Sequence, residues 1–145
     1  MNQQTIPARA DIPVEHTWNT AAIFATPADF DAEVDRLLAQ LPEIAALQPT
    51  LAQGPAQLAD ALAQIEEFTV RTYRAVMYAN IEASVDTNNQ AAAGRLGRAH
   101  TLEGQVRGTI AFVEPTLLGI GFATLHRWAD AEPRLAHYHH ELDRL

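Results

Sequence analysis

The sequence predicts an all-α protein, an antiparallel helical bundle built on a long central helical hairpin, with an extended arm at its N-terminus. Two long stretches carry apolar residues at alternating spacings of three and four, which is typical of helices that bury one face. Only two or three residues around Asp86 and Thr87 separate these stretches, so we expect the two helices to be antiparallel neighbours. A chain of 145 residues fits one domain and can bury a sizeable core.

Residues 1–25 are expected to form the arm. They show no apolar period, and two prolines disfavour helix at the residues that precede them. We expect three apolar side chains to pin the arm to the helices, namely Ile12, Val14 and Trp18. Residues 26–145 are then predicted to form one helical domain.

The first predicted helix has a clear start. Thr26 is placed as its N-cap, Pro27 suits the first helical position, and Asp29 lies where a capping box needs its second member. Pro42 lacks an amide hydrogen, so we expect it to kink this helix or to begin a new one. The apolar face is spaced by three and four: Phe30, Val34, Leu37, Leu41 and Ile44.

The second predicted helix begins at Pro55 or Ala56 and is the longest. Its heptad-like pattern suits antiparallel packing, and the seam consists of Leu58, Leu62, Ile65, Thr69, Thr72, Val76, Ala79 and Ala83. Further apolar residues widen this face around the middle of the helix: Val70, Tyr73, Met77 and Ile81. A helix that is apolar on so much of its circumference is expected to be central.

The third predicted helix starts at Thr87, whose hydroxyl is placed to cap the amide of Gln90. Pro115 is expected to end its regular run, and its apolar positions are Ala92, Leu96, Ala99, Leu102, Val106, Ile110 and Val113. After it we expect a short apolar turn over residues 115–121 and a short helix to about Ala129. A last helix begins at Glu132-Pro133 and carries Leu135, Tyr138, Leu142 and Leu145 at helical spacing.

Small residues form a second stripe on the third helix. Gly97, Thr101, Gly104 and Gly108 are spaced by four, three and four, and each glycine costs about 1 kcal/mol in a helix interior relative to alanine. Several on one face indicate that something approaches closely. We expect another helix to pack tightly there, and the alternative is a groove wall that faces a ligand.

Composition excludes several classes of function. The formal net charge of −8 argues against nucleic acid and anionic membrane surfaces as partners. The chain has no Cys, so it has neither a disulfide framework nor a cysteine nucleophile. The start has no signal-peptide pattern, and no apolar run is long enough to span a bilayer, so we expect a cytoplasmic protein. The last helix lacks a stop signal, so we expect the chain to be a piece of a longer protein.

A histidine cluster near the C-terminus invites a metal hypothesis. His137 shares a helix face with His140 and Glu141, but a zinc site would also need His100 or His126 from elsewhere. We favour a solvated polar face and keep a small zinc-binding bundle as an alternative. The metallopeptidase motif HExxH fails at its last position, where Arg144 has no lone pair to donate to zinc.

Other charged groups carry no visible catalytic arrangement. The carboxylates at residues 29–33 and at Glu66-Glu67 are interpreted as helix-start charges and solvated faces. Arg71 and Arg74 would suit a peptide carboxylate, but surface pairing with Glu67 is the simpler interpretation. Arg95 and Arg98 repeat the same spacing on the third helix. We therefore expect no catalytic, cofactor-binding or metal-ligating residue in this chain.

Several short segments follow one another in a recognisable order. They are Arg9-Ala10-Asp11-Ile12-Pro13, Trp18-Asn19-Thr20, Ile23-Phe24, the capped helix that holds Phe30, Tyr78 to Asp86 leading into Thr87-Asn88-Asn89, Phe112-Val113-Glu114-Pro115, and Leu135 with Tyr138. Their order and spacing resemble the opening of the oligoendopeptidase F family of zinc metallopeptidases. The resemblance covers essentially all of this chain but only the N-terminal part of such an enzyme.

The resemblance implies a parent metalloendopeptidase that hydrolyses short peptides with zinc held by an HExxH motif and a downstream Glu. The motif Glu would serve as general base on a zinc-bound water, but none of these residues lies in this sequence. What the resemblance implies for this chain is a non-catalytic helical domain that covers one side of a deep channel. Its partners would be the catalytic domain of the same polypeptide and an oligopeptide substrate, and the chain alone is expected to be inactive.

A second hypothesis comes from a different class. The heptad-like seam or the glycine stripe would let the chain act as a stand-alone helical interaction module that forms a homodimer through exposed helix faces. That module would have no enzymatic activity and no cofactor.

Overall fold

Helices and short turns make up the part of the chain that the structure, a computed structural model, describes: residues 11–138. The α-helices in that range are α1 (Pro27–Ala45), α2 (Pro55–Val85), α3 (Gln90–Ile110), α4 (Val113–Ile120) and α5 (Phe122–Ala131). Short 3-10 turns lie at Val14–His16, Thr20–Ala22, Gln48–Thr50 and Pro133–Tyr138. No strand occurs between residues 11 and 138, and the predicted all-α class is confirmed.

The hairpin of α2 and α3 is the centre of the fold, as predicted. α2 contacts α1, α3, α5 and the turns at Thr20–Ala22, Gln48–Thr50 and Pro133–Tyr138, and α1 packs against both helices of the hairpin. Two clusters of buried side chains meet along α2. One joins it to α1 and α3 through Phe30, Leu37, Phe68, Tyr78 and Leu102, and the other joins its N-terminal part to α4 and α5 through Leu51, Leu58, Leu62, Leu117, Leu125 and Leu135.

The start of α3 lies later than predicted. Asn89, not Thr87, is the N-cap, since its side-chain oxygen accepts from the amide of Ala92 at 3.0 Å. The Asp86 carboxylate accepts from the amide of Asn88 at 3.1 Å, and the Asp86 carbonyl accepts from the amide of Asn89 at 3.1 Å. These local bonds form a tight turn that uses the residues around Thr87 before the helix can begin.

The start of α1 is as predicted. The amide of Asp29 donates to the Thr26 hydroxyl oxygen at 3.2 Å, and the amide of Thr26 donates to the Asp29 carboxylate at 2.9 Å. No new helix begins at Pro42, because α1 continues to Ala45. Pro42 lies in the last turn of α1, and its carbonyl still accepts from the amide of Ala46 at 3.0 Å.

The arm is pinned by residues other than the predicted ones. Trp18 is 69% exposed and Val14 is 83% exposed, so the prediction that they dock was wrong, whereas Ile12 is half-buried. Ile23 and Phe24 pack against the helices instead. The ring of Phe24 meets the rings of Phe30 and Tyr78 edge to face, with centroids 5.9 Å and 5.3 Å apart. These two rings offer the arm its apolar contact after the turn at Thr20–Ala22.

The C-terminal part of the fold contains one unexpected helix. The apolar turn predicted at residues 115–121 is helical, because Pro115 lies in the first turn of α4, where a missing amide hydrogen breaks no bond. Gly121, with a φ of 84°, joins α4 to α5. α5 matches the predicted short helix. The last predicted helix is a 3-10 turn over Pro133–Tyr138, and its remaining positions, Leu142 and Leu145, lie outside the described residues.

Candidate functional site

One face of the hairpin has no helix packed on it between residues 11 and 138, and we call it the outer face. α2 contributes Val70, Tyr73 and Met77, which are 52%, 54% and 59% exposed. The prediction that these three residues widen the buried face of α2 was wrong, because no described helix covers them, and the fourth predicted residue, Ile81, is half-buried. The widened buried face instead uses Phe68, Ala75 and Tyr78.

The glycine stripe of α3 belongs to the same outer face. A Cβ placed at Gly97, Gly104 or Gly108 would meet nothing within 4 Å, so no other described element packs tightly on the stripe and that prediction was wrong. The pKa of the Arg107 guanidinium is raised chiefly by Glu103 and also by Tyr73, so Tyr73 of α2 lies near the residue that precedes Gly108 in the stripe. The outer face is therefore a shallow surface with an apolar ridge from α2 and an open glycine floor from α3.

A cleft of about 250 Å³ opens on the side where α1 meets α2. Its lining consists of Phe24, Glu33, Arg71 and Arg74, and we call it the arginine cleft. Arg71 Nε donates to Glu33 Oε1 at 2.7 Å, and Arg71 Nη1 donates to Gln40 Oε1 at 2.9 Å. The preferred interpretation of Arg71 as a surface partner of Glu67 was wrong, because Arg71 reaches across to α1 instead.

Arg74 has a different environment from Arg71. Its Nη2 donates to the backbone carbonyl of Ile23 at 3.3 Å. Among the described residues no carboxylate lies within ion-pair distance of Arg74. Within the described part of the chain, the cleft therefore presents a guanidinium group without a carboxylate partner beside the aromatic ring of Phe24.

Glu33 holds the acidic side of the arginine cleft. Burial opposes its ionisation, but hydrogen bonds and charges from Arg71 and Arg36 outweigh that cost, so the pKa of the Glu33 carboxyl lies below its usual value. The second Glu33 oxygen accepts from Arg36 Nη1 at 2.7 Å. At neutral pH this carboxylate is ionised and bonded on both oxygens.

Two further arginines of the hairpin, Arg95 and Arg98, form contacts between helices. Arg98 donates to Asp31 and Asp35 on α1, at 2.5 Å each. Arg95 Nη2 lies 3.7 Å from a Glu82 oxygen on α2, and Arg95 Nε is buried without a hydrogen-bond partner in the described part of the chain. Like the Thr26–Asp29 capping box, these contacts hold the helices in place and offer no acid/base pair.

The histidine cluster is only partly within the described residues, because His140 and Glu141 lie outside them. His137 Nε2 lies 3.9 Å from Glu66 Oε2, and the Tyr138 hydroxyl donates to the same oxygen at 2.7 Å. Between residues 11 and 138 no three His, Asp or Glu side chains come together in a way that could hold a metal ion. His100, His126 and His137 therefore form no ligand group with one another.

Sequence reasoning found the arginines but missed the cleft between them. The three-residue spacing of Arg71 and Arg74 identified a candidate for carboxylate binding. The partners that shape the cleft, Glu33 and Phe24, lie 38 and 47 residues before Arg71 in the chain, beyond the reach of helical spacing. Glu33 does fall on the same face of α1 as Arg36 and Gln40, which is the one local signal for it.

No helix between residues 11 and 138 is by itself both long and apolar enough to cross a membrane. Residues 90–120 and α5 meet the length and hydropathy requirements only when taken together, and they are bent by 98°.

Comparison with curated proteins finds one similarity that extends along most of the chain. Oligoendopeptidase F, plasmid, from Lactococcus lactis subsp. cremoris is 23% identical over 141 residues, which is 94% of this chain and 23% of that protein. No protein-family model matches the chain, and no solved structure matches it. The chain thus spans less than a quarter of the length of that curated relative.

Proposed function

We propose that this chain is the N-terminal, non-catalytic channel or lid domain of a zinc-dependent oligoendopeptidase that hydrolyses short peptides. The observation that carries the proposal is the similarity to Oligoendopeptidase F, which extends over 94% of this chain but only 23% of that protein. A similarity that covers most of this chain but a small part of the relative is what we expect of one domain of a larger enzyme. Residues 1–25 would be its arm and residues 26–145 its helical body.

The chemistry would belong to another part of the parent polypeptide. Zinc would be held there by an HExxH motif and a downstream Glu, with the motif Glu as general base on a zinc-bound water. The present sequence contributes no member of that set, so the isolated chain would not hydrolyse peptides. The parent would act in the cytoplasm on oligopeptides.

The role of the chain would be that of a rigid wall. α2 and α3 are joined by a tight turn, bonded to α1 through Arg71 and Arg98, and packed against α1. The outer face leaves apolar side chains and a glycine floor open to solvent, which favours a surface turned toward the rest of the polypeptide and its channel. Such a wall would restrict access to short peptides without touching the reacting atoms.

The first test is the reading frame beyond the codon of Leu145. We expect it to encode an HExxH motif, and its absence would refute the proposal. The second test uses the parent enzyme with Gly104→Leu, which fills the glycine floor. Gly119→Leu is a matched control, because Gly119 is also exposed in a helix with nothing within 4 Å of a Cβ but lies on α4.

We expect Gly104→Leu to lower kcat/KM for short peptides at least several-fold and Gly119→Leu to leave it unchanged. Both variants should fold equally well in the isolated chain, since neither position has a neighbour to displace. Equal kcat/KM for the two parent variants would exclude the outer face as the functional wall.

The alternative is a stand-alone homodimer that uses the same outer face. The observation that favours it is the pairing of an apolar ridge with an open floor on one surface, which two copies related by a two-fold axis would both bury. Sedimentation of the 145-residue chain distinguishes the two. A stable dimer that Gly104→Leu disrupts would support the alternative, and a monomer would exclude it.

A further inference from the structure

We propose that the arginine cleft binds the C-terminal carboxylate of a peptide whose last residue is apolar. The proposal is independent of the peptidase hypothesis, since it stands on the geometry of residues 23–74. Arg71 and Arg74 supply the cationic side of the cleft, and Phe24 supplies an apolar wall. A carboxylate joined to an apolar side chain matches both surfaces at once.

The charge balance of the cleft favours an anion. Arg36 and Arg71 share the single carboxylate of Glu33, and Arg74 bonds only to the Ile23 carbonyl among the described residues. The cluster therefore keeps net positive charge in a chain whose formal net charge is −8. Glu43 and Glu67 line a neighbouring cleft of about 170 Å³ that Arg71 also lines, but neither carboxylate lies within ion-pair distance of Arg71.

The guanidinium groups retain free donors for a ligand. Arg71 uses Nε and Nη1 toward Glu33 and Gln40, so its Nη2 hydrogens have no partner among residues 11–138. Arg74 likewise uses only Nη2. Arginine binds carboxylates through two parallel N–H groups, and Arg71 is held in place by α1 before any ligand arrives, which reduces the ordering cost of binding.

The apolar wall is also fixed in advance. Phe24 meets Phe30 and Tyr78 edge to face, and those two rings stack on each other with centroids 5.3 Å apart. The ring of Phe24 is half-buried and still lines the cleft, so it can cover an apolar side chain of the ligand. This arrangement favours a C-terminal Leu or Phe over a side-chain carboxylate, which would leave the wall uncovered.

The test uses the 145-residue chain and N-acetyl-L-phenylalanine as the probe, followed through the Arg Nε–H signals in ¹H–¹⁵N spectra. We expect saturable binding with a dissociation constant on the order of millimolar, as for a single charge-assisted contact with a small ligand. N-acetyl-L-phenylalanine amide lacks the carboxylate and should bind at least tenfold more weakly, by roughly the strength of one charged hydrogen bond. Equal binding of acid and amide would overturn the proposal.

Two variants locate the site. Arg74→Gln should weaken binding of the acid about tenfold. Arg127→Gln should leave it unchanged, because Arg127 is also an exposed arginine without a carboxylate partner among residues 11–138 but lies on α5, where it donates to the Thr124 hydroxyl oxygen. Circular dichroism should be unaltered in both. Loss of binding in both variants would show a general charge effect and overturn the site.

A third probe shows whether the cleft binds a main-chain or a side-chain carboxylate. N-acetyl-L-glutamic acid α-amide offers a side-chain carboxylate without an apolar group. We expect it to bind several-fold more weakly than N-acetyl-L-phenylalanine, and Phe24→Ala should remove that difference. Equal or tighter binding of the glutamate probe would overturn the assignment to a peptide C-terminus. Each of these outcomes leaves the peptidase proposal untouched, because that proposal is tested on the parent enzyme.

Discussion

Glu33 is the residue at which α1, α2 and the arginine cleft meet. One of its oxygens accepts from Arg71 on α2, and the other accepts from Arg36 on its own helix. Burial raises the pKa of this carboxyl, while both arginines lower it further than burial raises it, so the folded pKa lies below the unfolded one. A group of this kind stabilises the fold fully above its unfolded pKa and loses that contribution as pH falls through the folded pKa.

Because the folded pKa of Glu33 lies below its unfolded pKa, we can predict how the Glu33→Gln variant responds to pH. The variant should be less stable than the parent chain at neutral pH, and the difference should shrink as the solution is acidified below the usual range of a glutamate. Urea unfolding at a series of pH values measures it. Glu43→Gln is the control, as an exposed carboxylate on α1, and should follow the unaltered chain. A Glu33→Gln deficit that is constant with pH would contradict the prediction.

Replacing Gly104 and Gly121 by Ala should have opposite effects on the stability of the chain. Gly104→Ala should stabilise the isolated chain by about 0.5–1 kcal/mol, because the position is helical and a Cβ there meets nothing within 4 Å. Gly121→Ala should destabilise it by about 1–2 kcal/mol, because its φ of 84° is strained for any residue with a Cβ. Denaturant unfolding measures both free energies. A destabilising Gly104→Ala would mean that something does pack on the glycine floor.

At the scale of helices, α1 and α3 are joined by a core contact and by surface ion pairs. The core contact should contribute much more to the free energy of unfolding than the ion pairs do. Leu102 on α3 is fully buried, so Leu102→Ala should cost about 2–5 kcal/mol in unfolding free energy. Arg98→Ala removes the exposed pairs with Asp31 and Asp35 and should cost no more than about 1 kcal/mol. Unfolding at low and high salt separates them, since only the Arg98 effect should shrink in salt. A larger loss for Arg98→Ala would reverse this ranking.

The helices could be predicted from sequence because their signals are local. The capping box at Thr26, the start of α2 and the apolar face of α1 each follow from residues three or four positions apart. The start of α3 was missed because two residues, Thr87 and Asn89, are both chemically able to cap, and the turn bonded to Asp86 selects the later one. Local spacing cannot decide between such neighbours.

Which side of a helix is covered could not be predicted in the same way. α2 has apolar residues around most of its circumference, and the sequence does not show from which direction α1 arrives. The structure covers Phe68, Ala75 and Tyr78 and leaves Val70, Tyr73 and Met77 in solvent. The arginine cleft was missed for the same reason, since Glu33 and Arg71 meet only once the two helices have packed.

For the whole molecule, the helical hairpin is covered by other helices on one side and exposed to solvent on its outer face. Both clusters of buried side chains lie on the sides of α2 that face α1, α3, α4 and α5. Folding of the described residues does not bury the apolar side chains of the outer face. Their exposure to water is therefore unfavourable in free energy unless another surface covers them. The isolated chain should therefore bind apolar dyes and associate with itself more than a domain whose apolar surface is scattered.

This expectation is tested by placing charge on the outer face. The double variant Tyr73→Lys with Met77→Lys should lower dye fluorescence and concentration-dependent sedimentation, because both side chains are more than half exposed and lie one helical turn apart. Leu118→Lys with Phe122→Lys is the matched control, since these exposed apolar residues lie on α4 and α5. If dye binding falls equally in both double variants, the exposed apolar surface is not concentrated on the hairpin. If the unaltered chain binds no more dye than an ordinary globular domain, the outer face needs no covering partner, and the wall proposed for the parent enzyme loses its physical basis.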